Sequence, residues 1–376
     1  MLSAQAETCQ RNLTMERIRI LVVDDSAVIR KLLYDTLAED PEIEVVGSAS
    51  DGRMALAKIA QLRPDLVTLD IEMPVMNGLE ALAQMRKLYP RMPVIMFSTL
   101  TERGAAATLD ALSLGASDYA AKPSSSGGSV FAAKESIRAD LIPKIKALCG
   151  RRPVKYATMP SPVPRRTVAG DRRVEIVAIG ISTGGPNALA EVIPRLPKDF
   201  PVPVMIVQHM PPLFTQMLAQ RLGSQSQLAV HEGKAGNSLM PGHVWIAPGN
   251  YHMTVVRRGT VVTLGLNQEP MENSCRPAVD VLFRSVAKVY GTNVLAVVMT
   301  GMGSDGVLGA KHIHEAGGEV LAQDETSSVV WGMPGAVVDA GLADKVCPLR
   351  DMAHEIVRRV AASHSKFAHV ARAGAR

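Results

Sequence analysis

From Ile18 onward the chain alternates short apolar runs with stretches of helical period. The runs IRILVV (18–23), EVVGSA (44–49), DLVTLD (65–70), PVIMFS (93–98) and ASDYAA (116–121) have the length and partly β-branched content of buried strands. Between the first three, residues 28–37 and 54–61 carry apolar positions at helical spacing. Strands alternating with helices of about ten residues predict a parallel α/β domain that ends near Cys149. Residues 150–173 break the pattern with prolines and basic residues and predict a linker. The alternation resumes at VEIVAIGISTGGPNALA (174–190) and runs through PVPVMIVQH, LAVHEG, HVWIAPG, NVLAVVMTG, GGEVLAQD and DKVCPL, with a hairpin over 253–265. The expected plan is a flexible extension over 1–16, a first domain over 17–149, the linker, a second α/β domain over 174–364, and a flexible tail over 365–376.

Composition refines this plan. A chain of 376 residues exceeds what one core usually serves, so two domains are the prior expectation. Only 4% of residues are aromatic, which leaves the cores to Val, Ile, Leu, Ala and Met. No apolar stretch is long enough to span a bilayer and no signal core follows the N-terminus, so a cytoplasmic protein without membrane insertion is expected. Cys9, Cys149, Cys275 and Cys347 are scattered without metal-ligand spacing, which suits reduced thiols. The net charge of +5 is accounted for by the linker, where seven basic residues face one acidic residue, a surplus of 7 − 1 = 6. With no visible helix-turn-helix in the second half, a nucleic-acid partner is not expected.

Candidate chemistry gathers at strand ends, where open α/β sheets place their ligands. In the first half Asp24 and Asp25, Asp70, Ser98 and Lys122 fall at such ends. Carboxylates gathered there repel one another unless a divalent cation sits among them, and hard oxygen donors favour Mg²⁺. Asp70 is then placed to attack a phosphoryl group, with Lys122 and Ser98 stabilising charge on its oxygens. In the second half a buried strand ends at Ser182, followed by Gly184, Gly185 and Pro186. Three readings compete: a phosphate-cradling turn, a helix cap and a nucleophile. The turn does not match G-x-G-x-x-G and lacks a P-loop lysine, and this stretch alone favours the cap. His209 and Asp305, however, lie at the ends of two further strands, and Ser, His and Asp on three strand exits can form a series that makes a hydroxyl nucleophilic. Main-chain N–H groups of Thr183 and Met302 are candidate oxyanion donors. Asp280 rivals Asp305 but falls within a predicted helix. These residues indicate an acyl hydrolase of unspecified substrate.

Longer motifs carry resemblances. VVDDS, LDIEMPVMNG, MFS and AKP make residues 18–149 resemble a response-regulator receiver domain, a flavodoxin-like fold with a five-stranded parallel sheet. That resemblance implies Asp70 as phosphoacceptor, a Mg²⁺ site of Asp24, Asp25, Asp70 and the Glu72 carbonyl, and Ser98, Lys122 and Tyr119 as switch residues. AIGISTGG, IVQHMPPLFTQMLAQRL, VWIAPGNYHM, RPAVDVLF, VMTGMGSDGVLGAKHIHEAGG and AQDETSSVVWGMP make residues 174–350 resemble the catalytic domain of the CheB family, a doubly wound, Rossmann-like α/β methylesterase. This implies Ser182 as nucleophile, His209 as base and Asp305 as its orienting partner, acting without a cofactor on chemoreceptor glutamate methyl esters, with glutamine deamidation at the same site. It also implies a histidine kinase as phosphodonor, the cytoplasmic helices of a chemoreceptor as substrate, and relief of an inhibitory receiver docking on phosphorylation. Cys275, preceding Arg276 and Pro277, departs from the histidine often found there.

Overall fold

The computed structural model describes residues 17–99, 101–123, 129–150 and 173–373, with side chains through His364. The N-terminal extension and nearly all of the predicted linker lie outside the described residues.

The first unit runs β1 (Ile18–Val23), α1 (Ala27–Leu37), β2 (Ile43–Ala49), α2 (Gly52–Leu62), β3 (Leu66–Asp70), α3 (Gly78–Leu88), β4 (Val94–Ser98), α4 (Glu102–Ser113), β5 (Asp118–Ala121) and α5 (Val130–Leu148). Its five strands pair in parallel in the order β2-β1-β3-β4-β5. The helix starts are written locally. Ser26 and Asp51 accept from the Ile29 and Met54 N–H groups, and Asn77 and Glu80 form a reciprocal capping box.

The second unit runs β6 (Ile176–Ile181), α6 (Gly185–Val192), β7 (Val204–Gln208), α7 (Phe214–Gln225), β8 (Ala229–Glu232), β9 (His243–Ile246), β10 (His252–Arg258), β11 (Val261–Asn267), α8 (Val279–Tyr290), β12 (Val294–Val298), α9 (Val307–Glu315), β13 (Glu319–Gln323), α10 (Met333–Asp339), β14 (Lys345–Cys347) and α11 (Leu349–Ala373). Seven strands form a parallel sheet in the order β14-β13-β12-β6-β7-β9-β8, and β10 and β11 form the expected antiparallel hairpin. Alternate residues of β6 serve opposite cores, as a strand covered on both faces requires. Val177, Ile179 and Ile181 pack with α6, α7 and α11, while Ile176 and Ala178 pack with α8, α9 and the hairpin.

Two findings go beyond the expected plan. The tail assigned to 365–376 is helical as far as Ala373, because no glycine or proline interrupts the sequence between Leu349 and Ala373 and the first breaker is Gly374. The two units are also joined by one apolar cluster, in which Leu109, Leu112, Ala116 and Tyr119 of the first are continuous with Leu189, Phe214 and Leu218 of the second. Polar contacts at the same junction tie Asn187 Nδ2 to the Leu112 carbonyl and Arg221 to Asp110, both at 2.8 Å.

Candidate active site

The crevice of the second unit lies where β6, β7 and β12 end. Ile181 pairs with Gln208, so Ser182 and His209 are the next register neighbours on adjacent strands, and His209 N–H donates to the Ile181 carbonyl. On the other side the Ser182 N–H donates to the Thr300 carbonyl, which brings the Gly301–Asp305 loop alongside. The approach is tight: a Cβ at Gly301 would lie 2.8 Å from that of Ser182. Gly184 takes a left-handed conformation (φ 78°) as the N-cap of α6, and no side chain caps this helix. Ser182 is therefore not a cap, and its side chain is half-exposed at the crevice.

His209 Nε2 lies 2.8 Å from Asp305 Oδ2. Asp305 is otherwise saturated: Oδ2 also accepts from the Val279 N–H at 2.7 Å, and Oδ1 accepts from the Asp280 N–H and from Asn273 Nδ2, each at 2.9 Å. Two of these donors open α8, so the carboxylate also sits at a helix N-terminus. Burial would raise its pKa, but His209 and these backbone donors outweigh it and hold Asp305 below the usual carboxylate range. Burial likewise works against a charged His209, yet Asp305 and Cys275 together raise it to about 10. The rival Asp280 faces elsewhere. It accepts from the Gly306 and Gly309 N–H groups, anchoring the loop and α9, and burial lifts its pKa to about 6.

The remaining ring nitrogen of His209 does not meet Ser182. His209 Nδ1 lies 3.6 Å from Cys275 Sγ, and the Ser182 hydroxyl has no hydrogen bond among the described residues. The N–H groups of Thr183 and Met302 likewise have no protein acceptor among the described residues. Sequence reasoning missed two supporting residues. Asn273 bridges Asp305 and Asp280 from a turn with left-handed backbone (φ 52°), and Gln208, nearly fully buried, donates to the Ser182 carbonyl at 3.0 Å.

In the first unit Lys122 Nζ lies 2.7 Å from Asp24 Oδ2 and 2.8 Å from Asp70 Oδ2. Asp24 and Asp70 are buried and Asp25 is exposed, and oxygens of the three lie within 4.8 Å of one another. Burial raises the Asp70 pKa to about 6, with the Asp24 charge adding to the shift and Lys122 opposing it. Asp24 is raised as well, chiefly by burial. The Ser98 hydroxyl is 2.6 Å from Thr108 Oγ1, and the exposed Glu72 side chain pairs with Arg103. Tyr119 faces the second unit: its ring stacks on Phe214 at 4.8 Å, with Lys144 lying over it at 5.1 Å. Its neighbour Asp118, also buried, accepts from the hydroxyl of Thr183 at 2.7 Å, one residue from Ser182. That bond crosses between the units.

Comparison with known proteins agrees with this division. Residues 20–128 match the response regulator receiver domain, and residues 177–356 match the CheB methylesterase family. A protein-glutamate methylesterase/protein-glutamine glutaminase of Trichodesmium erythraeum is 53% identical over 92% of this chain and 100% of its own length. One from Nocardioides sp. is 54% identical over 92% of this chain and 96% of its own length. The chain belongs to the protein-glutamate methylesterase/protein-glutamine glutaminase family. The crystal structure of the Thermotoga maritima CheB methylesterase catalytic domain is 43% identical, covers 50% of this chain and 99% of its own, and gives a TM-score of 0.49. As a member of this family the chain is a methylesterase and glutaminase coupled to a response-regulator receiver of two-component chemotaxis signalling. Among the described residues no helix is long and apolar enough to cross a membrane.

Proposed function

We propose that Ser182, His209 and Asp305 carry out two-step acyl transfer on the γ-methyl esters of glutamates in the cytoplasmic helices of a chemoreceptor. The observation that carries this reading is the 2.8 Å contact between His209 and the saturated, charged Asp305, with Ser182 beside His209 in register. Because Asp305 holds Nε2, the nitrogen left for the Ser182 proton is Nδ1, which acts as base in the neutral imidazole, after giving up the proton that its raised pKa favours and turning the freed lone pair from Cys275 to the serine hydroxyl. Ser182 Oγ then attacks the ester carbonyl, and the Met302 and Thr183 N–H groups receive the oxyanion. Methanol leaves with the proton from His209, and water releases the glutamate carboxylate. With glutamine, ammonia leaves instead. The scheme uses no cofactor.

Phosphorylation of Asp70 by a histidine kinase is the proposed control. The receiver carboxylates fit a hard divalent cation, since oxygens of Asp24, Asp25 and Asp70 converge within 4.8 Å of one another and the two buried groups share the single cation Lys122. Asp24, Asp25, Asp70 and the Glu72 carbonyl would hold Mg²⁺, which supplies charge neutralisation for the incoming phosphoryl group. Lys122, already bound to Asp24 and Asp70, holds positive charge where the phosphate oxygens arrive, while Ser98 and Tyr119 respond to them. In the unphosphorylated protein the receiver restrains the esterase through the contacts of Asp118 with Thr183 and of Tyr119 with Phe214.

Methanol release from methylated receptor membranes tests both halves. Ser182→Ala is expected to lower release by on the order of 10⁶-fold, and Asp70→Asn to bring stimulation by a phosphodonor to none. Release that persisted in folded Ser182→Ala would sink the acyl-transfer reading, and stimulation that persisted in Asp70→Asn would sink the control.

A further inference from the structure

We propose that His209 and Cys275 form a binding site for a thiophilic divalent cation, Zn²⁺ above all, and that its occupation switches the esterase off by taking the lone pair of the base. The inhibitory half rests on the acyl-transfer reading of His209, whereas the binding half does not.

The geometry carries the site. Asp305 engages Nε2, which leaves Nδ1 as the coordinating nitrogen, and Nδ1 lies 3.6 Å from Cys275 Sγ. In a tetrahedral zinc site, Zn–S of about 2.3 Å and Zn–N of about 2.0–2.1 Å put sulfur and nitrogen about 3.6 Å apart. The pair therefore already has the spacing it would keep with the ion between its members. The outer sphere is built too. A histidine that ligates a metal usually donates its other N–H to a carboxylate, which fixes the ring and strengthens the ligand, and Asp305 Oδ2 does this here. Asp305 itself is no ligand, since each of its oxygens already accepts two hydrogen bonds.

The sulfur is held by a tight turn in which the Glu272 and Cys275 backbones bond reciprocally, with Asn273 and Ser274 both at positive φ. Arg284 fastens that turn through both oxygens of Glu272. The site opens to solvent, the His209 side chain being 13% exposed and Cys275 half-buried. As the Zn–S and Zn–N bonds form, the thiol proton of Cys275 and the proton on His209 Nδ1 both pass to water, and His209 binds as the neutral imidazole. Water fills the remaining coordination positions, so binding is reversible and a chelator removes the ion. A thiolate–imidazole pair discriminates by softness, selecting Zn²⁺ or Co²⁺ over Mg²⁺.

The test uses the full chain with excess Mg²⁺ present to occupy the receiver pocket. Co²⁺ serves as a spectroscopic probe for zinc, and methanol release is followed in parallel. Wild type is expected to develop a thiolate-to-cobalt charge-transfer band that Zn²⁺ abolishes, and to lose esterase activity to Zn²⁺ until a chelator is added. Cys275→Ser is expected to lack the band and, measured against its own zinc-free rate, to need at least about tenfold more Zn²⁺ for the same inhibition. Cys149→Ser should keep both properties. No band in wild type, or a band that survives in Cys275→Ser, overturns the site. A band that depends on Cys275 without loss of esterase activity supports the site and counts instead against His209 as the base.

Discussion

Both halves of this chain bring a buried aspartate against one basic side chain near the ends of parallel strands, yet they leave it in opposite electrostatic states. In the crevice of the second unit, Asp305 is surrounded by donors, held charged, and locked to His209. In the receiver, Asp70 shares Lys122 with the buried Asp24, whose charge helps raise its pKa to about 6. A saturated carboxylate is a fixed part, worth most when nothing around it changes. A carboxylate crowded against others gains when a cation or phosphoryl group arrives. The difference is what a catalytic unit and a switch each require, obtained from two parallel sheets of different strand order.

The sharpest way to break this contrast is to neutralise the locked carboxylate. Asp305→Asn keeps the shape but turns an amide N–H₂ toward one of the backbone donors at the start of α8 and removes one of the two groups, with Cys275, that raise His209. Esterase activity is expected to fall by about 10⁴-fold, with the His209 pKa falling from about 10 toward its ordinary value. Activity is read by methanol release and the pKa by NMR of the imidazole. A drop of less than tenfold, with the imidazole still charged at pH 9, would mean that Asp305 does not orient the base.

The next largest effect concerns the bond that joins the two halves. Asp118 reaches Thr183 through a buried carboxylate, and burial raises its pKa. Asp118→Ala removes that acceptor and leaves the Thr183 hydroxyl unpaired against the receiver. If docking restrains Ser182, basal methanol release should rise on the order of tenfold, within the range of allosteric coupling energies, and the stimulation ratio should shrink in proportion. Basal release unchanged in a folded Asp118→Ala protein would show that this bond does not transmit the restraint.

How far these features were legible in the sequence follows from their range. The strands, the strand-end placement of Ser182, His209 and Asp305, and the acidic pocket could be read because period and turn residues are local signals. Asp280 ranked below Asp305 in the sequence only because it falls in a predicted helix; that its carboxylate bonds the Gly306 and Gly309 N–H groups is a packing fact the sequence does not carry. What could not be read depends on packing between distant segments. Cys275 meets His209 across 66 positions, and Asp118 meets Thr183 across 65. A hydrophobic pattern specifies that a face is buried without saying against what, so Tyr119 could be named as a switch position by resemblance but its partner Phe214 could not. The helical continuation of α11 past 364 was missed because the stretch has weak apolar period, although the lack of glycine or proline was visible.

The smallest effect tests the crowded side of the contrast. Without a cation, the folded protein keeps a proton on Asp70 up to about pH 6, whereas an unfolded aspartate loses it near 3.8. Between those values the folded state binds more protons, so Asp70 makes stability fall, not rise, as pH increases through the window. A cation held by these carboxylates reverses this, because it favours the ionised form and expels the proton. Mg²⁺ should therefore bind about fourfold more weakly at pH 5.5 than at pH 8, the ratio set by the ionised fraction of a group titrating near 6. It should also release protons on binding near pH 6, measurable by calorimetry in buffers of different ionisation heat. The same titration on Asp70→Asn should lose both the pH dependence and most of the affinity. Equal Mg²⁺ affinity at both pH values in wild type would place Asp70 among the settled carboxylates, as Asp305 is, and remove the distinction between the two halves.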